Sequence, residues 1–316
     1  MVKQLIRKRE FGIFMLLLVL CITVAILNPR FLLPQNLQNN GRLIGIYGIF
    51  AIGIGLVIIT GGIDLSIGSL MAVLGVLLSI ALTELHWPWP MAIGAILGLS
   101  ALLGWAHGLL VTRLKLQPFI VTLCGLLIYR GAAQFIAKEQ TKGFGNGVGF
   151  EGLQRVLTAS PMGVPTPLIV MLVLAAVMAV VLHRSVFGRY LFAVGQNEAA
   201  ARYSGINTQR IISSSYVLSG LFGGIAGILL AFYTNSVSPS SHAQSYELYG
   251  IAAAVLGGCS LSGGEGSILG IVLGTALLQV LRNLVILLGI PSALDLAVMG
   301  TVILIGVIVD KLLKKP

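Results

Sequence analysis

The sequence predicts an all-α integral membrane protein of about ten transmembrane helices (eight to ten), some of them broken at glycines. Three observations predict it. Of 316 residues, 57% are hydrophobic and 9% charged, against about 25% charged in a soluble domain, and the mean hydropathy is +0.99. Apolar runs near the roughly 20 residues needed to cross a bilayer recur along the whole chain. These runs lack the period-2 alternation of a membrane barrel, and in hydrocarbon only a helix or a closed barrel satisfies its own backbone.

The first apolar run, 11–28, follows a basic tail of Lys3, Arg7, Lys8 and Arg9. It is long for a signal-peptide core, no small-x-small cleavage site follows, and further spans come after it, so it reads as an uncleaved first span. Next come 43–60, rich in glycine, and 65–83, which opens after Gly61, Gly62 and Asp64. The run 91–112 starts beyond Trp87-Pro88-Trp89-Pro90, an aromatic anchor at a turn. The remaining runs are 119–137, 166–183, 211–233, the short glycine-rich 247–259, 266–289 and 293–310. Gly104-x-x-x-Gly108 and Gly266-x-x-x-Gly270-x-x-x-Gly274 put small residues one turn apart, as helices do where they pack closely in lipid. Packing within the chain is favoured over a subunit interface. Residues 57–69 and 255–267 each place a Gly-Gly break and a Leu-Ser pair between apolar runs, and such paired breaks often mark a transport path.

Charge placement orients the spans. With the N-terminus inside, the inner segments 1–10, 113–118, 184–210 and 311–316 carry thirteen basic residues, and the outer ones carry five: Arg30, Arg42, Lys138, Lys142 and Arg155. Both termini are therefore expected on the cytoplasmic side. The net charge of +10 is spread over these short connections and forms no nucleic-acid-binding stripe. The whole chain, 1–316, reads as a single transmembrane domain.

Catalytic and metal chemistry find no support. No G-x-x-x-x-G-K-[ST] loop is present, the four histidines show no ligand spacing, no carboxylate pair is set for acid–base work, and Cys21, Cys124 and Cys259 are scattered through apolar runs. Ionisable residues within or beside the spans are few: Asp64, Arg130, Glu247, Glu265, Arg282 and Asp295. Their scarcity weighs against ion-coupled secondary transport and toward an external ATP-driven motor.

The inner connection 184–210 gives such a motor a grip. Asn197 is a good N-cap, Glu198 suits a first turn, Ala199, Ala200 and Ala201 favour helix, and Gly205 supplies the stop. A helix of about two turns follows over 197–204. The residues alone leave open whether it is a loop helix on the membrane surface or a peg for a peripheral ATPase.

Four blocks and a Pro-rich run carry a resemblance. They are Gly188 to Gly205, with its Glu-Ala-Ala then Gly pattern; Thr60-Gly-Gly-Ile-Asp-Leu-Ser-Ile-Gly68; Tyr246-Glu-Leu with Ala252 to Ser267; Asn283-Leu with Leu287-Leu-Gly-Ile290; and Gly-Val-Pro-Thr-Pro at 163–167. Together these resemble the ribose-type branch of the monosaccharide ABC importer permeases, over residues 12–311. The chain departs from the family where Leu284 follows Asn283 in place of glycine, and where Arg282 precedes it.

The resemblance implies a permease in the bacterial inner membrane that translocates ribose or a similar monosaccharide. It further implies a second permease copy (homodimer) or a paralogue, with the path between the two. Two ATP-binding subunits, or one fused double ATPase, would hold ATP and Mg, leaving this chain without a cofactor. An extracytoplasmic sugar-binding protein would deliver the solute. Furanose-like signalling sugars, nucleosides and branched-chain amino acids are the alternative cargoes.

The resemblance makes Asn197, Glu198, Ala199, Ala200 and Gly205 the ATPase-coupling residues. Candidates for the translocation path are Gly61, Gly62, Asp64, Ser66, Glu247 and Asn283. Each also has a plain reading. Asp64 caps the third span and Ser66 bonds within its first turn. Glu247 suits a helix dipole near the outer face, and Asn283 bonds a neighbouring helix. Arg130 lies three turns into its span and either snorkels or pairs with a carboxylate.

Overall fold

A computed structural model describes residues 9–145 and 147–291, with a few single positions as far as 304. Twelve helices occupy this part: α1 (Arg9–Leu27), α2 (Pro34–Ile59), α3 (Ile67–Thr83), α4 (Trp89–Thr112), α5 (Pro118–Ile136), α6 (Glu151–Thr158), α7 (Thr166–Arg184), α8 (Val186–Gln196), α9 (Glu198–Tyr203), α10 (Thr208–Thr234), α11 (Tyr246–Leu256) and α12 (Ile268–Leu287). Among the described residues, seven of these are long and apolar enough to cross a membrane, and α3 and α11 are shorter apolar helices. Nine predicted runs thus appear as helices. The tenth, 293–310, lies outside the described residues apart from isolated positions.

Burial divides the long helices in two. In α2, α10 and α12 most of the apolar stretch is buried, whereas α1, α4, α5 and α7 show most of theirs outward. In water such outward faces would be untenable; in a bilayer they are the lipid or subunit face. α2 is the central column and packs on α7, α10, α11 and α12.

Small residues let these helices close up. A Cβ added at Gly104 or Gly108 would run into the α10 backbone at Tyr216 or Ser213, and one at Gly270 or Gly274 into the α11 side at Gly257 or Ala253. The glycine stripes serve packing within the chain, as their spacing predicted.

Two differences from the sequence reading matter for the site. α2 begins at Pro34, nine residues before the apolar run, so Arg42 is a helical residue and not part of an outer loop. Of the amides that lower the hydropathy of Pro34–Arg42, Asn36 and Asn40 are used in contacts with α12, and Asn39 accepts from Tyr233 of α10. The segment before the predicted coupling helix is itself helical: α8 starts at an N-cap, Ser185, whose hydroxyl accepts the Gly188 N–H. On the opposite side, Lys142–Gly143 and Ser236–Val237 form a two-residue antiparallel pair beside α6.

Candidate translocation and coupling site

The short helix α9 forms as its sequence predicts. The Asn197 side chain accepts the Ala200 N–H at 2.9 Å, and Gly205, at φ 84°, closes the helix in a conformation that suits glycine. Glu198 does more than suit the dipole. Its carboxylate accepts from Arg202 at 2.5 Å and from the Thr208 hydroxyl, at the start of α10, at 3.1 Å. Ala201 is buried and seats the helix, while Ala199 and Ala200 are exposed. Tyr203, on the same face one turn later, is 92% exposed. Tyr203 was not among the sequence candidates, although it lies between Arg202 and Ser204 in the segment expected to meet the ATPase.

The end of α8, just before α9, meets the predicted glycine breaks through backbone contacts. The last turn of α2 closes with Gly61 N–H to Ile58 O and Gly62 N–H to Val57 O, at 2.8 and 3.0 Å. The second break lies directly against it: the Gly264 N–H donates to Ile59 O at 2.9 Å. Gly195, in the last turn of α8, fills the corner between them, where a Cβ would stand 1.8 Å from Ile59 O and 2.5 Å from Gly264 N. The paired motifs read in the two halves of the chain are therefore neighbours in space. Both meet the residues that immediately precede the N-cap of α9.

Beside this junction a cleft of about 450 Å³ opens between α2, α4, α9 and α10, lined by Gly61, Gly62, Thr112, Glu198, Arg202 and Tyr216 among others. Two sets of predicted residues, the glycine break and the coupling helix, thus share one cavity.

Deeper in, Asp64 is 1% exposed and makes three hydrogen bonds. Its carboxylate accepts the Ser66 N–H at 3.0 Å, the Ser66 hydroxyl at 2.7 Å and the Ser219 hydroxyl of α10 at 2.8 Å. Asp64 is not itself the N-cap of α3, which is Ser66. It organises the turn ahead of the cap and ties it to α10. Ser66 is satisfied locally, as its plain reading expects.

Glu247 lies in the first turn of α11, as expected, and is buried there against the first turn of α3. Its carboxylate receives backbone N–H groups from Gly68 and from itself. A side chain at Gly68 would occupy the position of its Oε2. Two helix N-termini converge on this carboxylate, and their aligned dipoles favour a negative charge there. Arg130 explains the geometry. It donates to Pro239 O and His242 O at 3.1 and 2.9 Å, pinning the loop that leads into α11. Its hydrogen bonds go to carbonyls, and the Glu247 carboxylate is near enough to interact with its charge.

Asn283 stands apart from these residues. It exchanges amide hydrogen bonds with Asn36 of α2 at 2.9 and 3.1 Å. One turn further along α2, Asn40 accepts from Gln279 at 3.0 Å. Arg282, expected near an outer edge, turns inward to donate to the Tyr47 hydroxyl at 2.6 Å and lies over the Tyr249 ring. Asn36 also lines a second cleft, with Gln35, Gln38, Asn39 and Arg42. Of the six path candidates, Gly61, Gly62, Asp64, Ser66 and Glu247 gather around the start of α3, and Asn283 belongs to the α2–α12 seam.

The family described as "Branched-chain amino acid transport system / permease component" matches residues 37–307. The chain is 39% identical to the ribose import permease protein RbsC of Bacillus subtilis, covering 96% of this chain and 93% of that protein. It is 34% identical to the galactofuranose transporter permease protein YtfT of Escherichia coli, over 93% and 87% of the two chains. With the xylose transport system permease protein XylH of the same organism it shares 33% identity, over 90% and 87%. No solved structure matches the chain.

Proposed function

This chain belongs to the branched-chain amino acid transport system / permease component family, and on that premise we propose that it translocates ribose or a similar monosaccharide as the membrane-spanning subunit of an ABC importer. The observation that carries the substrate class is the end-to-end similarity to permeases named for ribose, galactofuranose and xylose. The galactofuranose relative favours a furanose-type sugar as the second reading. The branched-chain amino acids of the family description are a weaker fit, because these relatives are all named for sugars.

The rest of the machine follows from that assignment. ATP and Mg reside on two ATP-binding subunits or one fused double ATPase, and hydrolysis belongs to them. A binding protein delivers the sugar from outside, and a second permease copy, or a paralogue, completes the transmembrane unit in the bacterial inner membrane. Both termini face the cytoplasm, on the charge bias already described.

α9 docks the motor with Ala199, Ala200 and the neighbouring Tyr203. Asn197, Glu198 and Gly205 hold its shape. Movement of α9 reaches the spans by two routes. One is Glu198 to Thr208 at the start of α10. The other is the corner at Gly195, which bears on the end of α2 and on the Gly263–Gly264 turn. The end of α2 leads directly to Asp64 and Ser66 at the start of α3, Ser219 of α10 bonds Asp64, and Glu247 lies against that same start of α3. Broken helices are tolerated at such a place because they line a path or are buried in protein.

Reconstitution with the ATPase and the binding protein tests the assignment. ATP-dependent accumulation of labelled D-ribose, D-xylose or D-galactose is the expected result. Accumulation of leucine and of no sugar overturns it. Within the same assay, Ala200→Asp and Gly205→Val should lower uptake by roughly tenfold, the scale of losing one central interface residue. Membrane insertion should persist. Ala200 is exposed, and a Cβ at Gly205 meets no atom within 4 Å; its penalty is conformational, about 1–2 kcal/mol for a left-handed residue. Normal uptake by both variants would remove α9 as the coupling helix.

A further inference from the structure

We propose that the turn 113–117 between α4 and α5 forms, together with α9, a second contact for the ATP-binding subunit, in which Lys115 and Arg202 receive a carboxylate of that partner. The proposal rests on the docking of α9 argued above and extends that surface to a neighbouring element. It starts from Lys115, which lines the 450 Å³ cleft together with Arg202 of α9. Among the described residues its ammonium has no ion-pair or hydrogen-bond partner. Its backbone is left-handed, at φ 54°, just where Leu116 N–H reaches back to Leu110 O at 3.3 Å to close the end of α4. A left-handed residue at a helix C-terminus is usually glycine, because any side chain there is strained. The turn by itself would be better served by glycine, so the lysine answers to something outside the turn.

The surroundings fit an anionic group carried on a protein. Glu198 is the one carboxylate in the lining, and it is already engaged by Arg202 and Thr208. Arg202 gives it one nitrogen and remains exposed, with further N–H groups of its fork free to donate. With Lys115 added, the cleft keeps an excess of positive charge. Leu116 lines the same cleft, and both it and Leu114 are exposed on either side of Lys115. Apolar side chains around a charge pair exclude water from it, which is what gives a charged contact weight in an interface. Because α9 forms part of the cleft wall, a group held there also touches the helix assigned to the motor. That favours the partner subunit over a lipid phosphate, the other anion of suitable chemistry.

The contact gives the motor a third way into the spans. α5 starts at Pro118, also in the cleft wall, and one turn later the Thr122 hydroxyl donates to Ile63 O at 3.1 Å. Ile63 stands between the Gly61–Gly62 break and Asp64. A pull on Lys115 is therefore delivered through α5 to the segment that Asp64 organises, without passing the Gly195 corner.

Carbodiimide cross-linking of the complete transporter, reconstituted in phosphatidylcholine vesicles, tests the contact. A carbodiimide joins an amine to a carboxylate that touches it, so the permease and the ATP-binding subunit should become linked through Lys115, as peptide mass spectrometry reads. Lys115→Arg keeps the charge but has no primary amine; it should abolish that link and keep uptake near the parent level. Lys115→Gly separates docking from folding. It relieves the left-handed backbone and should leave the melting temperature unchanged or raised, while uptake falls roughly threefold or more, the scale of losing one interface charge. The link, and its loss in Lys115→Arg, keep the test valid if Lys115→Gly fails to accumulate. A Lys115 joined only to Glu198, or left unlinked, overturns the second contact. A defect of Lys115→Gly that is absent in phosphatidylcholine and appears only when phosphatidylglycerol is added assigns the cations to lipid and overturns it too. Ala200→Asp, measured alongside, keeps the two readings apart. Reduced uptake there with full uptake in Lys115→Gly removes the turn alone, whereas normal uptake in Ala200→Asp and Gly205→Val removes α9 as the docking helix and this contact with it.

Discussion

Replacing Gly195 with alanine is expected to destabilise the permease by roughly 3 kcal/mol or more, beyond the usual range for an added methyl in a packed core. The reason lies in what surrounds the corner. The new Cβ would stand 1.8 Å from the Ile59 carbonyl oxygen and 2.5 Å from the Gly264 amide nitrogen. Both are backbone atoms near a hydrogen bond, Gly264 N–H to Ile59 O, that joins the two glycine breaks. A flexible side chain could swing aside; this backbone can yield only by separating α8 from α2. The variant should therefore show a lowered melting temperature in detergent and uptake reduced at least tenfold at equal protein level. Gly205→Ala makes the contrast, because its surroundings are open. It carries only the conformational penalty and should keep most of its stability. Normal stability of Gly195→Ala would mean that α8 and α2 do not form a rigid contact, and the second route from α9 to the spans would be lost.

How far the sequence discloses this architecture depends on the interaction concerned. Transfer to lipid is a local property of each run, so hydropathy located nine helices, including the short α3 and α11. Capping is equally local, and Asn197 was legible because it bonds a residue three positions away. The start of α2 was not legible. Its first turns are amides whose partners, Asn283 and Gln279, lie more than 230 residues on, and without them that segment looks like a polar loop. α8 was hidden by Gly188 and Gly195, which lower helix propensity and are present for close contact instead. Arg130 illustrates the limit most clearly. Its charge faces the Glu247 carboxylate, 117 positions away in sequence, while its hydrogen-bond partners are the carbonyls of Pro239 and His242, and backbone atoms leave no mark on composition. The Gly-Gly breaks were legible as paired motifs, but their mutual contact was not, since each backbone approach depends on the placement of α8 between them.

Asp64→Leu is expected to be the most damaging polar substitution in the chain, costing roughly 3–5 kcal/mol, whereas Asp64→Asn should stay within about 1–2 kcal/mol of the parent. Leucine has a similar volume but no acceptor. It would leave the Ser66 N–H, the Ser66 hydroxyl and the Ser219 hydroxyl facing an apolar group at a site that is 1% exposed. A buried donor that loses its acceptor forfeits the hydrogen bond and cannot turn to water. Asparagine keeps one oxygen for Ser66, and its amide nitrogen can donate to the Ser219 oxygen, which accepts as readily as it donates. What asparagine loses is the negative charge at the positive end of α3, worth about 0.3–1 kcal/mol where exposed and more when buried. Thermal unfolding in detergent separates the two variants, and uptake measured alongside separates two roles for the residue. If Asp64 serves to organise the entry to α3, asparagine should retain both stability and most of the transport. Transport lost in Asp64→Asn at normal stability would instead assign the charge itself to the passage of solute. Equal stability of the leucine and asparagine variants would show that the three hydrogen bonds at the start of α3 do not hold that helix in place.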